Sequence, residues 1–269
     1  MKISISTLGC PEWTFEEIVD RVSAYGYDGI EFRGIGPDLD LSGAPGFDTA
    51  ADRRDRLRRI TDAGLTVVAV DSSTRLTDID LKARRSNLDH ARATIDLAAD
   101  LGAPFVRVFG GDIPEGEDRA VTAGRVADGL RELGDYAAGR GDVTIALETH
   151  DGFSRGDQVA EVLALVPHPR VTALWDLHHP YRHNEAPEDT LRFLGGRIAF
   201  AHVKDSKPGG TYCLPGDGDI PLKFMIDLLR EHGYDGWLSL EWEKRWVPAL
   251  LPPETAFPAY AHFLRDAIQ

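Results

Sequence analysis

Four residues with metal-binding side chains follow one another at regular intervals in the second half of the sequence. They are Glu148 in ALETH, Asp176 in LWDLHH, His202 in AHVKD and Glu241 in LEWE. Each stands at the end of a short β-rich run, and successive residues are separated by roughly one strand and helix unit, so they should recur at one end of a barrel. Three carboxylates buried together would repel one another. We therefore expect a divalent cation to balance their charge.

The donor set indicates which cation fits. One imidazole and three carboxylates form a mixed nitrogen and oxygen site, which favours Mn²⁺, Mg²⁺ or Co²⁺, and we expect Mn²⁺. Zn²⁺ accepts these ligands but prefers a lower coordination number.

Such a site predicts chemistry on a small polyhydroxylated carbonyl compound. A cation that chelates a carbonyl oxygen and the neighbouring hydroxyl acidifies the intervening C–H and stabilises a metal-bound enediolate. Glu148 or Glu241 is the expected base. Transfer of the proton between adjacent carbons by one carboxylate gives an isomerase, and its return from the opposite face by the second carboxylate gives an epimerase. Loss of a β-hydroxyl from the same enediolate gives a dehydratase. The residues leave these reactions open.

Other polar side chains fall at or near the ends of predicted strands. They are Glu31, Arg33, Asp71, Arg107, His150 and Lys204. Arg33 and Arg107 either orient a substrate hydroxyl or carboxylate or pair with an interior acid, and both alternatives stay open. Lys204 shares a strand face with His202 and either donates to a substrate oxygen, which we favour, or balances Asp205.

The elements that must position these residues alternate along the chain. Eight runs are predicted as strands: KISIST from Lys2, GIEFRG from Gly29, LTVVAVD from Leu65, FVRVFGG from Phe105, VTIALET from Val143, VTALWDL from Val171, RIAFAHV from Arg197 and WLSLEWE from Trp237. Helical periodicity is clear from Phe15 to Tyr25 and from Asn87 to Leu101. Repeated βα units in a chain of 269 residues predict an α/β fold, a single (β/α)8 TIM barrel domain spanning residues 1–269.

Three long Gly/Pro-rich connections follow predicted strands two, six and seven. They comprise residues 35–48, 178–189 and 204–221. Connections of this length are usually functional, and all three leave the strand ends at which barrel enzymes carry their active sites. We expect them to form a lid over a small substrate.

The sequence resembles the sugar phosphate isomerase/epimerase superfamily of xylose isomerase-like barrels over essentially its whole length. The most specific pieces are Glu148, the step from Asp176 to His179, the HVKD motif from His202, the GDGDIPL segment and Glu241. Members include inosose isomerases and dehydratases, ketose 3-epimerases and hydroxypyruvate isomerase. The resemblance implies that Glu148, Asp176, His202 and Glu241 are the ligands and that the two glutamates are bases on opposite substrate faces. It also implies that His179 binds substrate oxygens.

Composition excludes several other classes. With 30 Lys and Arg against 44 Asp and Glu, the net charge of -14 opposes nucleic-acid binding. No apolar run approaches the roughly 18 residues of a membrane span, and the start does not resemble a signal peptide, so we expect a cytoplasmic protein without a membrane partner. Homo-oligomerisation is left open.

Two rival functions are weighed against the residues. A multinuclear endonuclease of the same barrel type needs further His ligands, but predicted strands three and four end in VAVDSS and VFGGD. A non-catalytic sugar-binding protein or complex subunit would not require the two carboxylates of Glu148 and Glu241. A nucleotide cofactor is not expected because no Gly-rich phosphate-binding motif is present.

Overall fold

The computed structural model describes residues 1–269 and contains a closed parallel barrel. Its strands are β1 (Lys2–Ser6), β2 (Gly29–Phe32), β3 (Thr66–Arg75), β4 (Phe105–Phe109), β5 (Thr144–Glu148), β6 (Val171–Asp176), β7 (Ile198–Val203) and β10 (Trp237–Leu240). A small antiparallel hairpin of β8 (Asp205–Ser206) and β9 (Tyr212–Cys213) lies outside the barrel sheet. The barrel order is β1-β10-β7-β6-β5-β4-β3-β2. The predicted α/β TIM barrel is confirmed.

Each predicted strand overlaps an observed one, and the main differences are at the ends. Strand β3 continues to Arg75, with a register shift against β4 between Asp71 and Arg75. Strand β10 ends at Leu240, so Glu241 lies one residue beyond it. The Glu241 backbone N–H still donates to Val203 O at 3.1 Å, which holds this residue beside the end of β7.

Eight helices lie between the strands, and a ninth follows the last strand. They are α1 (Phe15–Ala24), α2 (Ala50–Asp62), α3 (Leu81–Asp100), α4 (Arg119–Ala138), α5 (Gly156–Leu165), α6 (His178–Arg182), α7 (Pro187–Leu194), α8 (Leu222–Glu231) and α9 (Pro253–Ala267). Helix α3 begins earlier than its apolar periodicity predicts, because the Asp80 carboxylate accepts from the Ala83 N–H at 2.8 Å and caps it. None of the nine combines the length and apolar content needed to cross a membrane.

Contacts divide the chain into two compact units. Residues 1–68 and 200–269 form one, and residues 69–199 form the other. The first contains a cluster of Phe15, Phe32 and Phe47, with ring centroids 5.9 to 6.5 Å apart. In the second, α4 contacts β5 and β6, α5 contacts β6, and the apolar residues of these two strands are buried. The assignment of residues 1–269 to one domain stays a prediction.

The long connections contain more regular structure than their Gly and Pro content suggests. Residues 178–189 include all of α6 and the start of α7, where Pro187 occupies the first helical position. Residues 204–221 include the β8 and β9 hairpin. The lid role of these connections stays a prediction.

The Asp205 carboxylate organises the connection that follows β7. It accepts hydrogen bonds from the backbone N–H groups of Ser206 at 2.8 Å, Gly216 at 2.9 Å, Gly218 at 3.2 Å and Ile220 at 3.3 Å. A side chain on Gly218 would collide with this carboxylate. The GDGD segment therefore owes its glycine at position 218 to a turn that folds around the buried carboxylate of Asp205.

Candidate metal centre

Glu148 and Asp176 are the last residues of adjacent strands in the unit of residues 69–199. Both side chains are buried, and β5 and β6 pair in parallel with Glu148 opposite Leu174. Parallel strands place their carboxyl ends at the same edge of a sheet. The fold of this unit therefore brings two of the predicted ligands to one edge.

Arg107 on β4 lies against two buried carboxylates. Its Nε is 3.4 Å from Glu148 Oε2 and its Nη2 is 3.3 Å from Asp71 Oδ2. Its guanidinium also lies over the Phe109 ring, 3.9 Å from the centroid. Pairing with interior acids, one of the two alternatives for this residue, is therefore observed, whereas substrate contact stays a prediction.

Histidines surround the Asp176 carboxylate. The backbone N–H of His178 donates to Oδ1 at 2.8 Å, and the ring Nε2 of His179 is 3.4 Å from Oδ2. The His150 ring packs edge-on against His179, with centroids 4.6 Å apart. The predicted substrate-binding residues His150 and His179 are thus adjacent to a predicted ligand.

His150 also contacts the neighbouring Asp151. Its Nδ1 is 2.7 Å from Asp151 Oδ1, and Arg75 Nε is 3.3 Å from Oδ2. Burial acts to raise the pKa of the Asp151 carboxyl, but the hydrogen bond and charge of His150 together with Arg75 outweigh it and lower the pKa. Asp151 is therefore a stable anionic partner that fixes the His150 ring.

His202 and Glu241 lie in the other unit, at the ends of β7 and β10. His202 Nδ1 is 3.4 Å from Glu241 Oε2, and both side chains are buried. The parallel pairing of β10 with β7 places Ser239 opposite His202 and Leu240 opposite Val203. Glu241 thus follows directly from a strand paired with the one that carries His202.

Lys204 is fully buried among acidic groups. Its Nζ contacts Glu241 Oε2 and lies 2.9 Å from Glu243 Oε1, which also accepts from the Tyr212 hydroxyl at 2.7 Å. Glu243 and Tyr212 are absent from the predicted site. Glu243 could have been predicted from the sequence, because it lies two residues after Glu241 in the predicted strand run LEWE. Strand alternation places residues with this spacing on one face.

Arg33 is buried just beyond β2. Its backbone N–H donates to Thr7 Oγ1 at 2.9 Å, and that hydroxyl donates to Gly34 O at 2.7 Å. The Thr7 side chain therefore fixes the backbone that presents Arg33. A role of the guanidinium toward substrate stays a prediction.

The four predicted ligands are buried in both units, Glu148 and Asp176 in one and His202 and Glu241 in the other. In the unit of residues 69–199, Asp176 also forms a possible metal-ligating group with His178 and His179. Three buried carboxylates and one imidazole have the donor chemistry that a divalent cation requires. These buried residues are consistent with a divalent metal site.

The fold and these buried residues define a TIM barrel protein with a candidate metal centre. The chain belongs to the xylose isomerase-like TIM barrel family, whose pattern it matches over residues 19–267. It is 27% identical over 252 residues to the fructoselysine 3-epimerase of Shigella flexneri, covering 90% of each chain. It is 30% identical over 152 residues to the inosose dehydratase of Serratia proteamaculans, covering 48% of this chain and 50% of that protein.

A solved structure shares the whole fold. The crystal structure of the IOLI protein with a zinc atom aligns with a TM-score of 0.84 at 19% identity, covering 100% of this chain and 98% of that one. At this identity the likeness extends to the fold alone.

Proposed function

We propose that this protein is a divalent-metal-dependent isomerase or epimerase that moves a proton at the carbon beside a carbonyl group. Its substrate is a small sugar or cyclitol. The observation that carries the proposal is the burial of Glu148 and Asp176 in one unit and of His202 and Glu241 in the other, all at or next to the ends of barrel strands. The two glutamates are proposed to supply the two bases that proton transfer on either face of a carbon requires.

The cation is proposed to be held by these four residues, with Mn²⁺ favoured by the mixed oxygen and nitrogen donors. When bound, it supplies positive charge that stabilises the oxyanion formed as the substrate loses its proton. Similarity to an epimerase over 90% of the chain supports this class of chemistry.

The remaining side chains are assigned to holding the glutamates and the substrate. Arg107 contacts Glu148, and Lys204 contacts Glu241, so each proposed base lies beside a buried cation. His179 and His150, next to Asp176, are proposed to bind substrate hydroxyls, and Arg33 to contact another part of the substrate.

A dehydratase of the inosose or 3-dehydroshikimate type is the second candidate. Partial similarity to an inosose dehydratase supports it, and the first proton removal would be identical. The two reactions diverge only afterwards, when a β-hydroxyl either stays or leaves. Product analysis therefore separates them.

The test is a screen of ketoses, inososes and 3-dehydroshikimate with Mn²⁺ in deuterated water, followed by NMR. We expect at least one compound to exchange a C–H adjacent to its carbonyl for deuterium. A new stereoisomer identifies an epimerase, a displaced carbonyl an isomerase, and a product lacking a hydroxyl a dehydratase.

Asp176→Asn serves as the control because it alters a proposed ligand that is not a proposed base. We expect it to lose exchange at limiting Mn²⁺. Exchange of none of the compounds by the wild-type protein would contradict the proposed function.

A further inference from the structure

Glu31 on β2 contacts the imidazole of His202 directly. Glu31 Oε1 lies 2.7 Å from His202 Nε2, and both side chains are fully buried. The hydroxyl of Ser239 donates to the other carboxylate oxygen, Oε2. The other ring nitrogen of His202, Nδ1, lies 3.4 Å from Glu241 Oε2.

This arrangement selects between the two tautomers of a neutral histidine. A neutral imidazole has one N–H donor and one nitrogen with a free lone pair. Since Glu31 is an acceptor at Nε2, the proton belongs there and the lone pair belongs to Nδ1. The lone pair then faces the carboxylate of Glu241, where the proposed cation would lie.

Strand register explains how Glu31 reaches a residue 171 positions away in the sequence. Strand β1 lies between β2 and β10, with Ser6 opposite Glu31 and Ser4 opposite Ser239. Residues paired across neighbouring strands share a face. The small side chains of Ser4 and Ser6 therefore leave space on that face for the Glu31 side chain to extend past β1.

We infer that Glu31 is a positioning residue of the metal centre, which orients His202 and presents Nδ1 as a ligand atom. The inference rests on the proposed metal site. Histidine ligands in metal sites almost always donate their second ring N–H to a carboxylate, carbonyl or water, and loss of that partner typically weakens metal affinity 10- to 100-fold. The Ser239 hydroxyl, which donates to Glu31 Oε2, holds the Glu31 carboxylate in place.

The experiment measures Mn²⁺ affinity and stoichiometry by competition with a fluorescent chelator. The proteins are the wild type, Glu31→Ala, Glu31→Gln and Ser239→Ala. We expect Glu31→Ala to weaken affinity by about 10- to 100-fold. Glu31→Gln keeps an acceptor oxygen without the charge, so its Mn²⁺ affinity should fall less than that of Glu31→Ala. Ser239→Ala should show the smallest loss of Mn²⁺ affinity.

Glu185→Gln is the matched control. Glu185 is a buried carboxylate that accepts from the Gly156 N–H at 2.7 Å and from Thr190 Oγ1 at 2.6 Å, and it belongs to none of the candidate metal groups. We expect this variant to lower the melting temperature of the metal-free protein while the Mn²⁺ dissociation constant stays unchanged. A purely structural role for Glu31 would give the same pattern and would overturn the inference.

Three outcomes separate the inference from the proposed function. Unchanged affinity in folded Glu31→Ala, or in Glu31→Gln if the alanine variant does not fold, overturns the positioning role alone. Two Mn²⁺ ions per wild-type chain, falling to one in the Glu31 variants, would make Glu31 a direct ligand and also overturn it. A wild-type chain that binds no divalent cation would overturn the proposed metal centre and the inference with it.

Discussion

Replacing Glu148 with glutamine is expected to lower the rate of substrate C–H exchange by about 10²- to 10⁴-fold. Glutamine keeps the size of the side chain and one carbonyl oxygen, but it has no carboxylate to accept a proton. The fold should survive, because Glu148 occupies the end of β5 and its neutral replacement leaves Arg107 in contact with Asp71. Exchange is measured by NMR in deuterated water at saturating Mn²⁺.

Metal content of the same variant distinguishes the two roles proposed for Glu148. Loss of exchange with Mn²⁺ retained supports the role as a base, and loss of both supports the role as a ligand. Glu185→Gln, which changes a buried carboxylate of the same unit, should exchange at the wild-type rate. Full activity of Glu148→Gln would show that Glu148 is not the base.

Removing divalent cations is expected to lower the melting temperature substantially. Without a cation, the buried carboxylates of the proposed ligands Glu148, Asp176 and Glu241 lack the positive charge that the proposed centre supplies. A ligand at 1,000 times its dissociation constant stabilises the folded state by about 4 kcal/mol. For a chain of this size that corresponds to roughly 8–16 °C, at about 2–4 °C per kcal/mol.

The measurement compares melting of chelator-treated protein before and after Mn²⁺ is restored. Asp176→Asn is the control, since loss of one proposed ligand should reduce the metal-induced shift. Equal melting temperatures of the wild type with and without Mn²⁺ would contradict the prediction.

The sequence predicted the barrel well because each βα unit carries its own local signal. Apolar β-rich runs and amphipathic periods depend on neighbouring residues, and the eight runs all correspond to barrel strands. The four candidate ligands were identifiable for the same reason. They stand at strand ends, and strands of one parallel barrel end at the same face.

The contacts among buried charges were not predictable in the same way. Whether the Arg107 guanidinium contacts a substrate or an interior carboxylate depends on side chains from β3 and β5. The structure shows Asp71 and Glu148 beside it. Glu31 contacts His202, which lies 171 residues later in the sequence. Such pairings depend on strand register and on the small size of intervening residues, neither of which local composition determines.

The connection of residues 178–189 contains more helix than its sequence indicated. The sequence predicted it as one of the long Gly/Pro-rich connections, yet α6 and the start of α7 occupy much of it. Pro187 starts a helix there because its missing N–H is not needed at the first helical position. A proline alone therefore did not separate a loop from a helix start.

Metal binding by the purified chain tests the central claim most directly. Calorimetric titration of chelator-treated protein with Mn²⁺, alongside the variant His202→Gln, measures both stoichiometry and affinity. The proposed centre predicts one ion per wild-type chain and at least about tenfold weaker binding in the variant, since one of its ligands is lost. No bound ion, or an affinity unchanged in His202→Gln, would contradict it.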